Sequence, residues 1–187
     1  MSTLKNLFSW TLAWLAAAGL AFALAFAAPN EASVMGRMPS FMAQTLSRQN
    51  MVIPDGLSAE RTLALINFRK GQRQDIQGWI DGMGLKDSAQ ITWLRMPVLN
   101  DPGTSNGRVE VEDKLLAHYL APAERARLLP VFTDADSFRR AAGLTNSDQV
   151  YAVVINRHGD ILARVEGQYD PDKADALRET LLHGSSF

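Results

Sequence analysis

The chain has 187 residues, of which 47% are apolar and 21% charged, with a formal net charge of −1. That composition belongs to a folded protein, and the near-zero charge argues against nucleic-acid binding, which needs a surplus of Lys and Arg on one face. Cysteine is absent, so disulfides, thiol catalysis, zinc–thiolate sites and iron–sulfur clusters are excluded.

The chain opens with an apolar run, Leu7 to Ala28, without a charge and preceded by Lys5 alone. It is long enough to cross a bilayer, and small-residue pairs at Ala23/Ala25 and Ala25/Ala27 also suit signal cleavage. Residues 1–28 are read as a signal peptide or an uncleaved anchor; both send the remainder outward, because Lys5 stays inside. The expected location is the periplasm, either soluble after cleavage or held to the inner membrane by residues 7–28. Residues 29–50 read as a juxtamembrane linker. Met35, Met38 and Met42 within it suit either a thioether copper site or an amphipathic stretch that rests on the membrane or packs on the domain.

A domain is expected over residues 51–187. Thr62 to Phe68 is a continuous apolar run, the pattern of a strand buried on both faces. Ile76, Trp79, Ile80 and Met83 then mark one face of a helix over 72–83, with Gly84 as its stop. Gly78 and Gly82 lie inside that helix and lower its propensity; a close neighbour would account for them. Ile91 to Leu99 is the second strand, and Pro97 points to its end or an edge position. Residues 100–107 read as a loop. Val111, Leu115 and Tyr119 give a second helical face, and Leu128 to Thr133 a third strand. Asp134 caps a helix that stops at Gly143. Val150 to Ile155 and Ile161 to Val165 form a hairpin around the turn at residues 156–160. Asp170 and Pro171 open a last helix with Ala174, Leu177 and Leu181 inward. The order is βαβαβαββα, an α/β mixed sheet with helices on both faces.

Two stretches carry a resemblance to a known family. Leu65 to Arg73, and Pro130 to Asp134 followed by Ala142 to Leu144 and Val150 to Ile161, resemble the peroxiredoxin-like branch of the thioredoxin superfamily over residues 50–183. That resemblance implies a low-pKa cysteine at the start of the first helix and a cis-proline before the fourth strand. The matching positions are Lys70 to Arg73 and Asn146 to Val150, and neither residue is present. Thiol oxidoreductase and peroxidase chemistry is thereby excluded. Phe68, Arg69, Gln74, Ile76 and Trp79, with Asp136 to Arg139 and Ala142 to Leu144, are similar to the cysteine-poor family that contains the mitochondrial ATP synthase assembly factor. Uncharacterised periplasmic thioredoxin-like proteins share the hairpin and final helix. The resemblance implies an assembly or chaperone role, with a membrane-complex subunit or other envelope protein as partner.

The candidate binding residues are Arg69, Lys70, Gln72 and Arg73. Cations at a helix start oppose the macrodipole unless an anion or acidic partner sits there; the alternative is a solvated basic turn offset by Asp75. Arg95 either points to the same end or is exposed. His118, His158 and His183 are dispersed, so no metal site and no cofactor is expected. There is no phosphate loop, dinucleotide fingerprint, EF-hand or nucleophile elbow. Two function classes follow. One is a redox-inactive protein-binding module in the cell envelope, without enzymatic activity. The other is a non-thiol enzyme or binding protein for a small anionic ligand at the basic start of the first helix.

Overall fold

The computed structural model describes residues 35–182. The apolar run of residues 7–28 and His183 lie outside them. Among the described residues no helix is long and apolar enough to cross a membrane.

Strands β1 (Phe41–Gln44) and β2 (Asn50–Ile53) form an antiparallel hairpin. The main sheet holds β3 (Arg61–Asn67), β4 (Trp93–Leu99), β5 (Val131–Phe132), β6 (Tyr151–Asn156) and β7 (Ile161–Glu166). Their spatial order is β5-β4-β3-β6-β7. β3 runs parallel to β4, and β4 to β5, while β6 pairs antiparallel with β3 and β7 with β6. The helices are α1 (Arg73–Gly82), α2 (Ser105–His118), α3 (Pro122–Arg127), α4 (Ala135–Ala141) and α5 (Pro171–Leu182). A tight turn at Lys70–Gln72 leads into α1.

The period-two geometry of a strand sends neighbouring side chains to opposite faces, and β3 shows the consequence. Leu63 and Leu65 face one layer, with Ile76, Trp79 and Ile80 of α1 and Ala174, Leu177 and Leu181 of α5. Ala64 and Ile66 face the other, with Phe138 of α4, Ile53 of β2 and Met38. A strand covered on both sides is mostly apolar, which is why Leu63 to Ile66 of β3 and Tyr151 to Ile155 of β6 read as near-continuous runs, with Thr62 and Asn67 the buried polar residues of β3. The two buried indoles keep their polar atoms satisfied: Trp79 Nε1 donates to the Gly167 carbonyl at 2.9 Å, and Trp93 Nε1 to Leu85 at 3.0 Å. Buried Trp requires such a partner.

The structure corrects several expectations. The stretch read as a linker over 29–50 supplies, from residue 35 on, β1, the first residue of β2 and the core residues Met38 and Leu46. Met38 is buried whereas Met42 is 77% exposed, so the methionines have separate roles. The simple βαβαβαββα order gains the β1–β2 hairpin and an extra helix. α3 went unseen because none of its residues is buried, leaving no apolar face to read. α2 begins inside the expected loop, at Ser105, where the Thr104 side chain caps it by accepting from Gly107 N. Pro97 lies in an interior strand, not at an edge, immediately before the residues that pair with β5. The third strand shrinks to two residues. The hairpin turn is as expected, with Gly159 at φ +84°.

A basic groove as the candidate functional site

The carboxyl ends of parallel strands are where α/β sheets gather ligands. Here β3 ends at Asn67 and β4 at Leu99, with the start of α1 and the inner face of α2 beside them. Between these elements lies a groove of about 200 Å³, lined by Asn67, Arg69, Lys70, Arg73, Pro97, Leu99, Val111, Lys114, Leu115 and Tyr119. Its lining carries four cations and no carboxylate. A cleft lined by one sign of charge focuses the field and concentrates counter-ions.

The four candidate residues separate into two roles. Arg69 and Lys70 are exposed and Arg73 is half-buried on the groove. Gln72 is 6% exposed and is structural. Its Oε1 accepts from Phe68 N at 2.8 Å and from Arg69 N at 3.0 Å. Its Nε2 donates to the Ser147 carbonyl at 2.9 Å. One amide therefore satisfies two main-chain donors at the head of α1 and ties that turn to the loop before β6. These two places fall in the stretches, Lys70 to Arg73 and Asn146 to Val150, where the resemblance seen in the sequence implies a cysteine and a cis-proline. Gln72 therefore holds the turn from within, and it is not among the residues that line the groove.

Arg95 is neither exposed nor on the rim. It is 7% exposed, and its Nη2 donates to the Arg73 carbonyl at 3.2 Å. Its guanidinium stands 4.9 Å from the centre of the Tyr119 ring, and that of Arg73 at 6.0 Å from the same ring. Burial pushes the Arg95 pKa below its ordinary value, and the nearby Arg73 charge lowers it further, while Tyr119 and Glu124 act the other way. Among the described residues Arg95 has no carboxylate within ion-pair distance.

The other cations differ in how they are neutralised. Arg69 pairs with Asp148 at 2.5 Å and Lys114 with Glu110 at 2.7 Å, both between exposed side chains. Exposed pairs of this kind contribute about 0–1 kcal/mol and exchange readily. Lys70 and Arg73 form no ion pair among the described residues. Asp75, the expected offset, instead accepts from Gln168 Nε2.

Sequence reading named three of the four cations but missed Lys114. The signal was present: Val111, Lys114 and Leu115 are spaced by three and four and so share one helix face, and a lysine on an apolar face is informative. A larger recess of about 290 Å³ lies between Pro39–Met42 and Val131–Thr133 and has no charged side chain on its lining. Among the described residues no cluster of His, Asp or Glu could hold a metal ion. His118 and His158 are both exposed and stand on separate elements.

No protein-family model matches the chain, and no curated protein matches it in sequence. Solved structures do match. BsSco, a member of the Sco family of cytochrome c oxidase assembly proteins, aligns at a TM-score of 0.53 with 12% identity, over 80% of this chain and 94% of that one. The exposed lipoprotein thioredoxin Etrx1 of Streptococcus pneumoniae strain TIGR4 aligns at 0.51 with 11% identity, over 78% and 99%. A putative electron transfer protein of Aquifex aeolicus VF5 aligns at 0.51 with 10% identity, over 78% and 91%. At such identities the likeness concerns the backbone alone: the described domain has a thioredoxin-like fold.

Proposed function

We propose that the protein is a redox-inactive thioredoxin-like binding module of the cell envelope, which uses its basic groove to hold a partner during assembly of a membrane complex. The observation that carries this reading is the rebuilt centre of the fold. The stretch that the resemblance assigns to a thiol, Lys70 to Arg73, holds instead the buried Gln72, whose amide oxygen accepts from two main-chain N–H groups and whose nitrogen donates to the Ser147 carbonyl. Beside it stand Lys70 and Arg73, which form no ion pair among the described residues, while Arg69 and Lys114 hold only exposed pairs with Asp148 and Glu110. A surface that has no thiol and carries an unneutralised charge is suited to recognition rather than to electron transfer.

Further support comes from the apolar segment at residues 7–28, which suits export, and from the printed roles of two neighbours. BsSco belongs to a family of cytochrome c oxidase assembly proteins, and Etrx1 is an exposed lipoprotein. Both share only the fold with this chain. The resemblance to the ATP synthase assembly-factor family makes subunits of that complex the first clients to examine.

The test is partner recovery from membranes with the tagged full chain. Lys70→Glu with Arg73→Glu should reduce recovery at least about tenfold, as expected when charge complementarity at a docking face is reversed, with the thermal midpoint unchanged. Recovery equal to that of the parent would remove this surface from the proposal.

A further inference from the structure

We infer that the groove receives an acidic, extended segment of the partner polypeptide, with carboxylates on its two basic rims and an apolar side chain on its floor. The inference rests on the function proposed above and names the chemistry that this face holds.

Three observations carry it. The first is the distribution of charge. Arg69, Lys70 and Arg73 line the groove from the start of α1 and Lys114 lines it from α2, with Pro97, Leu99, Val111 and Leu115 as its apolar lining. Arg69 and Lys114 hold exposed pairs with Asp148 and Glu110 that an incoming carboxylate can replace. Cations on both sides of an apolar floor complement a chain that carries acids about an apolar anchor. A single bound anion would need only one rim.

The second is Arg95. Buried charges are ordinarily paired, because desolvation disfavours the ionised form. Arg95 is 7% exposed and is held by a carbonyl and an aromatic face in place of a carboxylate. It lies behind Tyr119, which lines the groove. Its charge acts through a medium that screens less than water does, so it adds positive potential to a face already basic. A carboxylate arriving at the groove relieves that imbalance.

The third is size. Sites for drug-sized molecules have volumes of about 300–1,000 Å³. This groove, at about 200 Å³, is too small to enclose such a ligand but has room for one anchoring side chain. Peptide anchors enter pockets of this kind while the rest of the segment stays on the surface.

The experiment uses the full chain in a non-ionic detergent and fluorescence anisotropy. The probe is a short fluorescein-labelled peptide alternating glutamate with leucine. Two controls replace glutamate by lysine, or leucine by serine. The glutamate–leucine peptide should bind, weaken steeply with added salt, and lose about tenfold or more in affinity when serine replaces leucine. Lys70→Glu combined with Lys114→Glu, both at exposed positions that leave the core untouched, should also cost about tenfold or more. The inference is overturned if the lysine–leucine peptide binds as well, or if the double reversal has no effect. Recovery of a membrane partner that depends on Lys70 and Arg73, with no preference for the acidic peptide, would overturn this inference and leave the proposed function standing. Loss of both would remove the proposed function as well.

Discussion

The side-chain amide of Gln72 donates to the main-chain oxygen of Ser147 at 2.9 Å, joining positions 75 apart in sequence. Its oxygen accepts from two successive main-chain N–H groups, of Phe68 and Arg69. Removing one member of a buried hydrogen-bonded set leaves the others unsatisfied, at about 1–3 kcal/mol for each such group. Gln72→Ala should therefore lower the unfolding free energy by about 2–4 kcal/mol. The neighbouring Lys70→Ala, at an exposed position, should stay within about 0.5 kcal/mol of the parent. Urea denaturation of both variants checks the contrast.

Gly78 and Gly82 occupy one helix but face different surroundings. A Cβ at Gly82 would stand 2.5 Å from the ring of Tyr169, whereas one at Gly78 would meet Tyr169 Cβ at an ordinary 3.8 Å. Ala is favoured over Gly inside a helix by about 1 kcal/mol. Gly78→Ala should then stabilise the protein by up to about that amount. Gly82→Ala should destabilise it by about 1–2 kcal/mol, because the Tyr169 ring must leave its edge contact with Trp79 and overpacking exceeds the propensity gain. The two rings stand 5.5 Å apart, centre to centre, so near-ultraviolet circular dichroism should change in the second variant and not in the first.

Asp160 links the β6–β7 turn to the segment ahead of β1. The Asn156 amide is the first cause holding its carboxyl below the usual carboxylate range, and the Arg37 guanidinium acts the same way against the effect of burial. A pKa depressed in the folded state gives stability that is present above the unfolded value, about 3.9 for Asp. That stability is lost as pH falls through the folded value. Asp134 and Asp101 are shifted in the same direction, by hydrogen bonds from Ser137 and from Arg108. Stability should accordingly fall below about pH 4. Asp160→Asn should be less stable than the parent at neutral pH, and the two should converge as the pH drops. Urea midpoints measured across a pH series provide the check.

Arg95 separates charge from packing. Replacing a buried charge with an apolar residue of similar length is often neutral or stabilising, because the desolvation cost disappears. Arg95→Met loses the contacts to Tyr119 and the Arg73 carbonyl but keeps an apolar stem. Its unfolding free energy should remain within about 1.5 kcal/mol of the parent, as for other volume-conserving exchanges. Affinity for the acidic peptide should nevertheless fall several-fold, with a weaker dependence on salt. Equal affinity in parent and variant would show that Arg95 contributes nothing to the groove.

Much of this architecture could be read from the chain, and the parts that could not share a cause. β3 and β6 stand out because burial on both faces leaves their central residues, Leu63 to Ile66 and Tyr151 to Ile155, almost wholly apolar. The face of α1 stands out because Ile76, Trp79 and Ile80 repeat at helical spacing. The β1–β2 hairpin does not: Met42 and Val52 are cross-strand partners and both are exposed, so its outer face is not polar and the alternation is lost. α3 buries nothing, and β5 has only two residues, too few to show a period. At the site, Arg69, Lys70 and Arg73 were legible as a local cluster. The place of Lys114 and Tyr119 opposite them depends on how α2 packs, and the burial of Arg95 depends on Tyr119 covering it. Gln72 was legible as polar, but its hydrogen bond to Ser147 is a tertiary contact that no local pattern encodes.

The basic groove is proposed to hold an envelope partner. The most direct measurement is photo-cross-linking in intact cells, with a photo-reactive residue at Lys70 on the groove rim and, as reference, at Asp175 on the exposed side of α5. Mass spectrometry of the membrane fraction should identify one dominant membrane-complex subunit from Lys70 that is absent from Asp175. A folded, exported protein that gives no adduct at Lys70, or the same adducts from both positions, would contradict the account.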